Sequence, residues 1–109
     1  MVTPMPVSQV ATYQMYIGGE WVDAASGETY EVIDPSTEEV VARIPKGGVA
    51  DAERAVAVAR EAFDRGPWPR MKAAERADVL RRVATLIRER VDELARVESR
   101  QMGKLFEDS

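Results

Sequence analysis

The chain holds few groups able to do chemistry, and the first to weigh is Gly103-Lys104 within "ESRQMGKLFEDS". A phosphate-cradling P-loop needs a glycine five residues before the second glycine, and a Ser or Thr after the lysine to hold magnesium. Glu98 and Leu105 stand at those positions. A carboxylate repels phosphate and Leu105 has no ligand oxygen, so this reading fails. The pair reads instead as a helix end, with Gly103 in the left-handed conformation and Lys104 beside the last helix carbonyls.

The other candidates are equally bare. Gly18-Gly19 and Gly47-Gly48 lack the spacing of a dinucleotide fingerprint and read as turns. Glu38 and Glu39 are neighbours on a strand and point to opposite faces. Glu89 and Glu93 share a helix side, where like charges are mildly unfavourable, and no histidine stands by to complete a metal site. Trp21 and Trp68 flank turns without a basic groove, so they read as packing anchors and not as base-stacking platforms. The chain contains no cysteine and no histidine. It therefore has no disulfide, no thiol nucleophile and no imidazole base or ligand. No nucleophile, base and orienting group can be assembled.

The elements that would position such groups come next. At 109 residues the chain is one domain by length, expected to bury roughly two-thirds of its unfolded surface. Residues 1 to 44 carry one cation, Arg43, against seven acids, whereas residues 45 to 109 carry 14 cations and 12 acids. The arginines thus belong to a mixed-sign second half, and with a net charge of −4 nothing suggests nucleic-acid binding. No apolar run approaches membrane-spanning length. The opening "MVTPMPVSQVATYQ" lacks the cationic start of a signal peptide and the arginines of a transit peptide. Residues 1–13 are expected to form a mobile tail and the protein to be cytoplasmic.

Four short strands are predicted first. "MYI" and "EWV" flank Gly18-Gly19 as a hairpin. "TYEVI" and "EVVARI" alternate in the strand period around the turn "DPST", where Pro35 fixes φ and the Asp34 carboxylate bonds the following amides. Two amphipathic helices follow. In the first, Ala52, Ala55, Val56, Ala59, Ala62 and Phe63 form one stripe, with Gly48 as N-cap, Asp51 in the first turn and Gly66-Pro67 as the stop. The second runs from about Ala73 to Met102, roughly 40 Å, with Ala77, Leu80, Val83, Ile87, Val91 and Leu94 on its stripe. Asp78–Arg82 and Asp92–Arg96 are spaced as ion pairs. Val79 and Leu86 lie off the stripe, which marks a second surface to be covered.

In this order the segments are specific. "YIGGEWVDAASGETYEVIDPSTEEVVARIP", "DAERAVAVAREAFDRGPWPRM" and "ERADVLRRVATLIRERVDELARVESRQMGK" resemble the amino-terminal part of an NAD(P)-dependent aldehyde dehydrogenase, from Tyr16 to Lys104. The resemblance implies an α/β fold of which this chain supplies strands and helices (α+β if taken alone), with residues 14–109 an incomplete amino-terminal part of the cofactor-binding domain. It implies oxidation of an aldehyde with NAD or NADP through a cysteine thiohemiacetal, in a homo-oligomer. It also places the nucleophilic cysteine, the general-base glutamate and the oxyanion asparagine beyond this stretch. No catalytic residue and no bound cofactor are therefore expected here, and the partner is the remainder of the dehydrogenase chain, with neither nucleic acid nor membrane.

One site is implied in part. Some members are similar in holding a monovalent cation with backbone carbonyls before the turn and an acid two residues before the Gly-Lys pair. The matching positions are Val32, Ile33 and Gln101. Gln101 replaces the acid, and its neutral amide gives no charge to a hard cation, so an ordinary helix-end hydrogen bond competes with ligation. Leu105 also stands where a proline is common. A reading of another class keeps the same ancestry but makes the chain a free-standing α+β interaction module, docking a partner through exposed helix faces. A cooperatively unfolding monomer would favour the module, and an aggregating species the incomplete domain.

Overall fold

The computed structural model describes residues 10–109, in which five strands precede three helices. β2 (Met15–Ile17) and β3 (Glu20–Val22) form the expected hairpin. Gly18 and Gly19 take φ of 66° and 81°, the positive angles that a two-residue turn needs to match strand twist. Tyr16 pairs with Trp21 across it, ring centroids 4.9 Å apart. Such a pair adds about 0.5–1.5 kcal/mol beyond its area, although Trp21 is 66% exposed and anchors no core.

The second sheet runs β1-β5-β4. β4 (Thr29–Ile33) and β5 (Val40–Pro45) are antiparallel, with a register shift between Val32 and Ile33. Glu31 sits opposite Arg43 and pairs with it at 3.1 Å. β1 (Ala11–Thr12) lies parallel to β5, Ala11 opposite Ala42, and the Tyr13 amide donates to the Arg43 carbonyl at 3.0 Å. Two residues assigned to the tail are therefore a strand, because the far edge of β5 offers backbone groups that any short extended segment can satisfy. Residues 1–9 of that tail lie outside the described residues.

α1 (Val49–Arg65) begins at Gly48 and ends at Gly66, as expected. Its entry is fixed by Asp51, which is nearly buried. One carboxylate oxygen accepts the Gly48 amide at 2.9 Å and the other accepts the Ala25 amide at 3.0 Å. The first bond is half of a capping box. The second ties the loop after β3 to the helix, a partner 26 residues away that spacing alone does not reveal. Arg70 closes the other end by donating to the Asp64 and Gly66 carbonyls at 2.9 and 2.7 Å.

The single long helix expected next is two. α2 (Ala73–Glu89) and α3 (Val91–Met102) meet at Arg90, whose φ of −117° and ψ of 17° leave the helical region. A tighter bond from the Arg90 amide to the Ile87 carbonyl, 3.1 Å, ends α2. Charge order supports a joint here: Arg88 lies in the last turn of α2 and Asp92 and Glu93 in the first turn of α3. Those signs suit a helix C-terminus followed by an N-terminus. The ion pairs differ too. Asp78 reaches Arg81 at 2.7 Å instead of Arg82, and no Asp92–Arg96 pair forms among the described residues.

Burial is the main departure from expectation. Among the described residues the buried apolar ones are three alanines: Ala24 after β3, Ala42 in β5 and Ala95 in α3. The helix stripes marked for burial stay open, with Val56 70%, Phe63 66% and Leu80 61% exposed. Trp68, read as an anchor, is 43% exposed. What α1 does turn inward is Asp51, Ala55 and Val58, the last lying 3.4 Å from where a Cβ on Gly18 would sit. The folded surface is 8987 Å², against about 6,000 Å² for a compact chain of 12.1 kDa and about 17,500 Å² unfolded. Folding hides about half of the surface, not two-thirds, because the helices spread beside the sheets without a layer on their outer sides.

Two buried hydrogen bonds on one carboxylate outweigh any of the exposed ion pairs, which are worth about 0.2–1 kcal/mol each. Asp51→Ala should therefore cost about 2 kcal/mol locally, seen as roughly thirty-fold faster hydrogen exchange at the Ala25 and Gly48 amides. Asp78→Ala should leave exchange across its helix nearly unchanged. Equal effects from the two variants would refute the assignment of Asp51 as the latch.

Candidate functional site

The turn between β4 and β5 is the most highly organised polar feature of the chain. Asp34 is nearly buried and its carboxylate accepts the Ser36 amide at 2.8 Å and the Ser36 hydroxyl. The Asp34 amide donates to the Glu39 carbonyl at 2.9 Å, and the Glu38 amide donates to the Asp34 carbonyl at 2.8 Å. Closing the turn this way holds Glu38 at a φ of +60°, the left-handed region that side chains seldom adopt. The Ser36 hydroxyl, then the Ser36 amide, hold the Asp34 carboxyl below its ordinary pKa against the opposing effect of burial, with lesser help from the Thr37 amide and the Arg100 guanidinium.

The end of α3 packs on this turn. Gly103 has a φ of +67°, and its amide donates to the Ser99 carbonyl at 2.9 Å, as a glycine cap should. A Cβ there would stand 2.8 Å from Pro35 Cγ, so the position excludes side chains on two independent grounds. Lys104 does not cap the last carbonyls as expected. Its ammonium lies 3.4 Å from Glu98, while its own carbonyl accepts the Ser99 hydroxyl at 2.6 Å.

Between the sheet and α3 opens a cleft of about 880 Å³. Val32 and Gln101 both line it, with Ala42, Ile44, Arg100 and Phe106. Ile33, the third position matched to a cation site, is not on its wall and is 51% exposed at the irregular end of β4. The structure thus brings two of the three positions to one cleft. The Gln101 side chain makes no hydrogen bond among the described residues, so the helix-end bond that competed with ligation does not form. No group of three or more acidic side chains placed to hold a metal exists among the described residues.

The glycine pairs do not fit a dinucleotide. Gly18-Gly19 is the hairpin turn. At Gly47-Gly48, where a bare helix N-terminus would receive phosphate, the Asp51 carboxylate already takes the Gly48 amide and would repel an anion. Among the described residues no helix is long and apolar enough to cross a membrane.

Two predictions follow from the turn and the joint. The folded-state pKa of Asp34 lies below its unfolded value near 3.9. Its contribution is therefore complete above that value and is lost as pH falls through the folded pKa. Asp34→Asn should lower the urea midpoint near neutral pH, and less so in acid, where wild type has lost the same contribution; parallel acid limbs would contradict this. Gly103→Ala should cost about 1–2 kcal/mol for its backbone angle and about 1–3 more for the clash with Pro35. Gly27→Ala, with φ of +73° but nothing within 4 Å, should show the first cost alone. Identical losses in urea melts would remove the Pro35 contact from the account.

Comparison with known proteins agrees with this arrangement. The sequence profile described as "Aldehyde dehydrogenase family" matches residues 21–109. Aldehyde dehydrogenase family 2 member C4 of Arabidopsis thaliana is 44% identical over 105 residues, which is 96% of this chain and 21% of that protein. Among solved structures, the NAD-dependent aldehyde dehydrogenase from Sinorhizobium meliloti superposes with a TM-score of 0.87 at 46% identity, over 90% of this chain and 20% of that one. An NAD+ complex of an aldehyde dehydrogenase from Bacillus cereus gives 0.86 at 41% identity, over 88% and 20%. The chain spans about a fifth of the length of the relatives it matches. With profile, sequence and backbone in agreement over most of its length, the chain belongs to the aldehyde dehydrogenase family, matching its amino-terminal region.

Proposed function

We propose that these residues are the structural opening of a longer NAD(P)-dependent aldehyde dehydrogenase, an oligomeric cytoplasmic enzyme that oxidises an aldehyde to an acid through a cysteine thiohemiacetal. The observation that carries this reading is the set of open helix stripes. Val56, Phe63, Leu80 and Ile87 are spaced for burial and remain more than half exposed. A self-sufficient module would cover such residues, since contiguous apolar surface of this extent promotes association. Residues 14–109 form the first part of the cofactor-binding domain in this reading, and the rest of the dehydrogenase chain supplies the missing layer. Relatives include an aldehyde dehydrogenase solved as an NAD+ complex, which supports a nicotinamide cofactor for the longer protein.

The chemistry of the parent falls outside these residues. The chain contains no cysteine to attack the aldehyde and no histidine. What its own residues contribute is placement: Asp51 fixes the first helix to the loop after the hairpin, and the close approach of Gly103 to Pro35 sets where α3 ends against the turn of the second sheet. The 109 residues alone should reduce neither NAD+ nor NADP+ with any aldehyde. Turnover by the purified chain, surviving removal of contaminating enzymes, would overturn the proposal. The coding sequence beyond Ser109 tests it separately, through a reading frame that continues to a glycine-bearing strand–helix turn, a glutamate and then a cysteine.

The cation reading rests on the same family resemblance. In it the Val32 carbonyl and the Gln101 amide oxygen, the two that share the cleft, ligate a monovalent cation, weakly because neither carries a charge. Potassium or sodium at 100 mM should raise the melting temperature slightly over choline at equal ionic strength, as binding to the folded state requires. Gln101→Glu should enlarge that difference by restoring a carboxylate. No difference between the salts in either protein would eliminate the site.

A further inference from the structure

We draw no further inference here: the strongest candidate, the exposed apolar face of the first helix from Val49 through Val56 to Phe63, carries nothing because nothing in the structure shows what covers it beyond the remainder of the dehydrogenase chain already proposed.

Discussion

The Asp34 carboxylate is the interaction on which the second half of the architecture depends. By holding Ser36 through both its amide and its hydroxyl, it closes the turn that sets the β4–β5 register. That register puts Ala42 opposite Val32 and Arg43 opposite Glu31, and it leaves the far edge of β5 free to accept β1. The same turn presents Pro35 to Gly103, so one short polar loop fixes both a sheet and the exit of a helix. A buried carboxylate is ordinarily costly. Here the donors around it reverse the balance, which its lowered pKa records.

Asp51 does the equivalent work for the first half. Each of its two oxygens serves one backbone amide, one local and one distant. The hairpin, the loop after it and the first helix are thereby held together without a large apolar core. Polar ties of this kind specify geometry well, but they contribute only a few kcal/mol in total. The apolar contribution expected for a domain of this length is mostly unrealised, because the buried apolar residues among those described are alanines. An assembly held by capping carboxylates and backbone ladders, with its large side chains facing outward, fits the proposal that these residues are one layer of a longer dehydrogenase. The chain spans about a fifth of the length of the relatives it matches.

The candidate site shows how unevenly a sequence reports on space. Val32 and Gln101 are 69 positions apart and were paired only through resemblance; the fold brings both to one cleft. Ile33 follows Val32 directly along β4, so strand alternation turns it to the opposite face and off the wall. The register shift there adds Val41 to β5, an extra residue that the alternating pattern of "EVVARI" does not announce. Arg70 closes the carbonyl end of α1, a role with no local mark in the sequence, since it is one arginine among fifteen cations.

What the sequence determined by itself was local chemistry. The Gly18-Gly19 hairpin, the Asp34 turn, the Gly48 entry, the Gly66 stop and the Gly103 cap all depend on residues within five positions of one another, and all stand where their types require. The absence of cysteine and histidine likewise needed no coordinates. Tertiary structure alone decided the reach of Asp51 to Ala25, the seating of Gly103 on Pro35 and the strand formed by Ala11 and Thr12. It also decided which stripes stay open: periodicity shows that a helix face is apolar, but burial needs a second surface, and that surface is set by distant contacts.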